Sequence, residues 1–144
     1  MATAEIKKVE PEWYLDEASE IEVKSKVVFS GLGADEVFGG YARYKTAFER
    51  GGSKEMEAEM SLDLDRLWHR NLGRDDRVIS STGKEARFPY LDIDLLRFMR
   101  EKCPTEHLCD WTDFRGKGDK KLLRKVADQC FNLPITSGFE KRAI

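Results

Sequence analysis

Apolar positions along the chain fall into one short continuous run, followed by stretches with helical spacing. The run is Val27-Val28-Phe29, β-branched at its first two positions, and it predicts a strand. It leads through Ser30-Gly31-Leu32-Gly33-Ala34-Asp35-Glu36 into a helix-compatible segment. Gly39-Gly40 would weaken a helix interior by about 1 kcal/mol per residue relative to alanine. Either a helix therefore begins after the pair, over Ala42 to Arg50, or a close neighbour requires the missing side chains. Gly51-Gly52 punctuates the chain, and Ser53 is placed to cap the next helix. Met56, Met60, Leu64 and Leu67 recur at helical spacing, which predicts an amphipathic helix from 53 to about 71 with the methionines as core filler. Gly73 interrupts or ends that helix, and a further piece spans Asp75 to Ser81.

In the second half, Pro89 pushes Phe88 towards an extended conformation. Glu85 and Arg87 flank a short apolar turn, and Asp92 caps a helix carrying Leu95, Leu96, Phe98 and Met99, which Pro104 ends. Residues 105–117 read as a polar loop containing Trp111 and Phe114, continuing into Gly116-Lys117-Gly118. Asp119 is the expected cap of the next helix, whose apolar positions are Leu122, Leu123, Val126, Ala127 and Cys130. Lys120 and Lys121 then fall in its first turn, where the helix dipole disfavours positive charge. An anionic ligand or partner would account for them, as would simple solvation. Residues 1–25 are charged and without a period, with Trp13-Tyr14-Leu15 as their apolar island, and read as a loosely ordered lead-in. Apart from residues 26–29 the chain reads as helices, and a lone strand needs neighbours.

Composition narrows the function. The chain has 144 residues, 40% hydrophobic and 36% charged, with a net charge of −2, which fits one domain with a nearly neutral surface. That balance lacks the clustered basic face of a nucleic-acid binder. No apolar run approaches a membrane span. Cys103, Cys109 and Cys130 lack metal-ligand spacing, and His69 and His107 do not cluster with them. Reduced thiols in the cytoplasm, without zinc, are the expectation.

The chemistry concentrates in the turn after the strand. Gly31 and Gly33 remove the Cβ atoms that would block a phosphate, and Ser30 adds a hydroxyl donor. Asp35 and Glu36 place two carboxylates where Mg²⁺ on nucleotide phosphates takes oxygen ligands. Spacing alone leaves a second reading open, because an acidic first turn also serves the helix dipole. The turn is neither a Walker A loop nor a dinucleotide fingerprint.

Three blocks together resemble the synthetase domain of the asparagine synthetase family. The first is Ser30-Gly31-Leu32-Gly33-Ala34-Asp35-Glu36-Val37-Phe38-Gly39-Gly40-Tyr41, similar to the family's SGxGxDExFGGY. The second is Asp76-Arg77 followed by Gly83-Lys84-Glu85-Ala86-Arg87-Phe88-Pro89-Tyr90-Leu91-Asp92, similar to DR…GxEARxPFLD. The third is Asp119-Lys120-Lys121-Leu122-Leu123-Arg124, similar to (E/D)KxxLR. The stretch from Arg70 to Arg77 resembles the asparagine synthetase domain-containing branch more than the housekeeping enzyme.

The resemblance implies an α/β fold: an incomplete synthetase domain like the adenine-nucleotide α-hydrolases, mostly helical in this chain, over residues 26–144. It implies ATP and Mg²⁺ as cofactors and aspartate as substrate, activated as β-aspartyl-AMP and then attacked by ammonia from a glutaminase domain. By the same match Ser30, Gly31 and Gly33 contact the nucleotide and Asp35 serves the metal. Lys120 and Glu36 are the catalytic candidates, with Lys120 a fixed cation where negative charge develops. Glu85 and Arg87 match positions that shape the pocket wall or the packing behind it. Three departures set further expectations. Leu32 stands where the family carries a glutamate, the pyrophosphate loop SGGxDS does not precede Lys26, and Met1-Ala2 offers no N-terminal cysteine. The chain is therefore expected to be a cropped piece, inactive alone, that a partner carrying the pyrophosphate loop and glutaminase domain would complete. A non-catalytic scaffold, or a relic, is the alternative.

Overall fold

A computed structural model describes residues 24–113 and 116–140. All but the last two residues of the lead-in, its Trp13-Tyr14-Leu15 island and Phe114 lie outside the described residues.

β1 (Val27–Phe29) forms where the apolar run predicts it and pairs in parallel with β2 (Glu85–Arg87), in the register Val27 to Glu85, Val28 to Ala86 and Phe29 to Arg87. Backbone bonds extend the ladder at both ends, from Glu85 N to Lys26 O (2.7 Å) and from Ser30 N to Arg87 O (2.9 Å). The apolar pattern alone leaves β1 without a partner and sets Glu85 and Arg87 beside a turn. The pairing corrects that expectation. A Glu-Ala-Arg strand has one small residue on its inner face and two charges on its outer one, so it shows no hydrophobic alternation. On that outer face Arg87 Nη2 meets Glu85 Oε1 at 2.6 Å, and both side chains are mostly exposed.

Between the strands runs the helical crossover that a parallel pair requires. α1 (Ala34–Phe38) is followed by α2 (Ala42–Leu67), which Gly51 (φ −147°) and Gly52 (φ +66°) break into two helical halves as the glycine pair predicts. Both explanations of Gly39-Gly40 hold. α2 starts after the pair, and each glycine also has a neighbour at its back. Gly39 is left-handed (φ +69°), and a Cβ there would fall 2.6 Å from Cys109 Sγ. A Cβ on Gly40 would run into the Asp35 carboxylate. Beyond Leu67 the helix widens into one π-helical turn, Trp68–Leu72, before α3 (Gly73–Ser81). Gly73 thus changes the helix type at a junction the sequence marks as a break.

After β2 a 3₁₀ turn over Pro89–Leu91 delivers Asp92, whose carboxylate accepts from the amides of Asp94 (3.0 Å) and Leu95 (3.1 Å) and caps α4 (Ile93–Lys102), as predicted. The expected polar loop contains a short helix, α5 (Thr105–Leu108), followed by α6 (Lys121–Gln129) and α7 (Pro134–Ser137). Met56, Met60 and Met99 sit in a core with Val37, Phe38, Tyr44, Ala47, Leu108 and Cys109, against which Leu122 and Leu123 of α6 pack. Two positions assigned to apolar faces turn outward instead: Phe98 and Cys130 are exposed. Phe98 lies at the edge of its helical stripe, and Cys130 is the C-cap residue just beyond the last turn of α6, where the helical period no longer holds it inward. Among the described residues no helix is long and apolar enough to cross a membrane.

Candidate functional site

The turn from β1 to α1 is open where the sequence expects a ligand. Gly31 is exposed, and a Cβ built on it would meet nothing within 4 Å. Internal packing therefore does not demand a glycine there. Gly33 differs: φ is +95°, and an added Cβ would lie 2.8 Å from Leu91 Cγ. The first glycine leaves room outside the protein, and the second is required within it. The Ser30 hydroxyl accepts from the Leu32 amide at 3.3 Å, which folds the turn and leaves the hydroxyl's own hydrogen directed elsewhere.

Asp35 and Glu36, adjacent in sequence, serve different places. Asp35 meets Lys120 Nζ at 3.0 Å, with both side chains about one-fifth exposed (22% and 21%). Two motifs distant in sequence thus close on each other. Glu36 turns inward, is 3% exposed, and accepts from the Tyr41 hydroxyl at 2.7 Å. Burial, together with the hydrogen bond to Glu36 and the charges of Glu36 and Asp35, raises the pKa of Tyr41 well above a free phenol's. Glu36 is therefore built into the wall behind the turn, away from the Asp35–Lys120 pair.

Lys120 is not in the first turn of α6. It occupies the N-cap position with left-handed backbone (φ +52°), a conformation that costs a non-glycine residue of order 1–2 kcal/mol. Asp119 does not cap the helix. Its buried carboxylate instead accepts from the Gly116 amide (2.8 Å) and from Arg124 Nη2 (2.7 Å), while Arg124 also donates to the carbonyls of Asp119, Ser137 and Phe139. A carboxylate held by this clamp is not free to bond the helix amides. Arg124 thus fixes the segment that sets the Lys120 backbone. Sequence reasoning assigned it no role, although it closes the third motif. Lys121, which opens α6, pairs with Asp110 at 2.8 Å. Its hydrogen bond, with two more from Thr112, brings Asp110 from the ordinary 3.8 to about 2. Each lysine thus has the anionic partner that its position near a helix N-terminus called for.

A different polar group lies at the base of α2. Asp63, 7% exposed, accepts from Arg43 Nε and from the Tyr44 hydroxyl, both at 2.8 Å, and the Arg43 guanidinium lies 4.0 Å from the centroid of the Tyr41 ring. Burial above all, with the bond to Asp63, raises the Tyr44 pKa far above its usual range. Burial also pushes the Cys109 thiol up to about 11. A buried thiol shifted that way stays protonated and is a weak nucleophile.

The donor set of the turn suits a phosphate better than a metal held by protein alone. The turn offers an open glycine and a serine hydroxyl, and the helix it opens carries the Asp35–Lys120 pair, whereas no group of three or more His, Cys, Asp or Glu side chains among the described residues could hold a metal ion. Asp35 can serve Mg²⁺ only as one oxygen on an ion whose remaining ligands are phosphates and waters.

The fold and site define a mostly helical domain around a parallel strand pair, with a strand, glycine turn and helix facing a lysine from a distant segment. The asparagine synthase family matches residues 14–54 and 48–135, and the chain belongs to that family. It is 42% identical to the asparagine synthetase domain-containing protein 1 of Gallus gallus over 83% of this chain and 19% of that protein. The Homo sapiens protein of that name is also 42% identical, over 83% of this chain and 18% of its own length. Asparagine synthetase B (glutamine-hydrolyzing) of Escherichia coli is 35% identical over 81% of this chain and 20% of its length. The chain thus spans about a fifth of the length of the curated relatives it matches. No solved structure matches it.

Proposed function

We propose that this chain forms the lysine-bearing part of an ATP-dependent, amide-forming synthetase domain. What supports this reading is the open Gly31 turn taken with the Asp35–Lys120 pair, which ties a cation from a distant segment to the helix that the turn opens. ATP supplies the activation of a carboxylate, with pyrophosphate as leaving group. In this reading Ser30 and the Gly31 backbone bind the phosphates, and Lys120 stabilises the charge that develops on them. Asp35 holds the ammonium in place until phosphates and Mg²⁺ compete for it. Glu36 has no direct part: it holds Tyr41 and, through it, the wall behind the turn.

Among the described residues the sheet is one parallel pair, which fits an assignment to the adenine-nucleotide α-hydrolase type. Parallel sheets are ordinarily covered on both faces and built from more strands. Here Val27 is 38% and Phe29 74% exposed, beside an open groove of about 760 Å³ that Leu72, Phe88 and Pro89 also line. Further strands and the pyrophosphate loop would cover it, whether from the same polypeptide or from a partner chain. A second reading, a non-catalytic binding module, draws on that same exposed groove. The two are separated by a thermal melt with Mg-ATP and an assay for aspartate-dependent pyrophosphate release. The synthetase reading expects stabilisation by Mg-ATP with no turnover by the isolated chain. Absence of any ATP effect leaves the binding module.

A further inference from the structure

A half-enclosed cavity of about 170 Å³ lies between Glu36 and Tyr41 at the end of α1, Arg43 and Asp63 of α2, and Arg70 and Asn71 of the π-helical turn, with Leu67 on its apolar side. It is separate from the Asp35–Lys120 pair, because Glu36 turns inward from α1 where Asp35 turns to α6. At about 30 Å³ per water it has room for roughly five waters, and so for a ligand of a few heavy atoms and not for a nucleotide.

The lining is polar and charge-balanced, with two carboxylates against two guanidinium groups. In the inner pair, Arg43 and Tyr44 both donate to Oδ2 of Asp63. The outer groups carry fewer bonds. Tyr41 takes Oε1 of Glu36, which leaves Oε2 as an acceptor in a side chain 3% exposed. Among the described residues no ion pair or side-chain hydrogen bond engages Arg70 or Asn71. These two come from the π-helical turn, a costly local geometry that recurs at functional sites and swings side chains off the regular helical stripe. An acceptor at one side and two donors at the other, over a balanced lining, match a ligand that carries both an ammonium and a carboxylate.

We infer that this cavity binds a small neutral α-amino acid, its carboxylate on Arg70 and Asn71 and its ammonium on Glu36. The balanced lining selects against a ligand with a second charge, which would stay uncompensated in a half-buried site. The site works without nucleotide.

The test is calorimetric titration and thermal melting of the chain with glycine, L-serine and L-asparagine as a size series and L-aspartate as the ligand with a second charge, in the absence of ATP. Acetate and ammonium at matched ionic strength are the controls. At least one amino acid is expected to raise Tm where the paired ions do not. R70Q and N71A alter exposed or half-exposed side chains, so their unliganded Tm should be unchanged. R70Q should weaken Kd by roughly tenfold or more, the loss expected of one charge-assisted hydrogen bond. K120A should bind the amino acid as the parent does, which separates this inference from the nucleotide site. Four results would overturn it: no binding by any of the three, equal binding in R70Q and N71A, loss of binding in K120A, or stabilisation by L-aspartate alone.

Discussion

Gly31 and Gly33 are two residues apart in one turn, yet alanine should affect them in opposite ways. At Gly33 an alanine must adopt φ +95° and must place its Cβ within 2.8 Å of Leu91 Cγ. A side chain forced into such backbone costs about 1–3 kcal/mol, and overpacking a fixed neighbour costs about 1–3 kcal/mol more. The total, roughly 2–6 kcal/mol, is a large part of the about 5–15 kcal/mol that holds a domain folded. At Gly31 the same methyl meets nothing within 4 Å, and the change should stay within about 0.5 kcal/mol. Urea denaturation of both variants, read by tryptophan fluorescence and far-ultraviolet dichroism, gives the two differences directly. L91A in the G33A background removes the contact and leaves the backbone strain, so the double variant should lose less than the sum of the two single changes. A G33A protein as stable as the parent, or a G31A protein as unstable as G33A, would refute the assignment of one glycine to packing and the other to the outside.

The clamp and the acidic loop carry two more expectations. R124A strips Asp119, whose side chain is 6% exposed, of its ion-pair partner and should cost about 3–5 kcal/mol in denaturant titration, with R124K recovering part of it. Asp110 sits at about 2 in the folded protein against an ordinary 3.8. Its stabilisation is therefore present above 3.8 and lost as the pH falls towards 2, since the unfolded chain takes up the proton first. Melting temperatures of D110N should show a shallower decline across that window than those of the parent.

Legibility in the sequence tracked how local each signal is. The strand Val27–Phe29, the break at Gly51-Gly52 and the Asp92 cap depend on neighbours in sequence, and all three form as read. β2 was missed because Glu85-Ala86-Arg87 has no apolar alternation; only its partner makes it a strand. Asp119 has every local mark of a cap, but Arg124 and the Gly116 amide take its carboxylate first. Site residues obeyed the same rule. The motif blocks name Asp35 and Lys120, but only the fold brings them to 3.0 Å, and only the fold sends Glu36 inward to Tyr41. Gly73 marks a break in the sequence, but nothing in Trp68–Leu72 itself distinguishes the π-helical turn that precedes it from ordinary helix.

The central claim is that the Gly31 turn and Lys120 together bind the phosphates of ATP. The most direct measurement is calorimetric titration of Mg-ATP into the parent chain, G31A and K120M, each first shown to be folded by its melting profile. A saturable isotherm is expected for the parent. A weaker one is expected for G31A at unchanged stability, and the largest loss for K120M. No heat from the parent, or the same affinity in all three proteins, would contradict the claim.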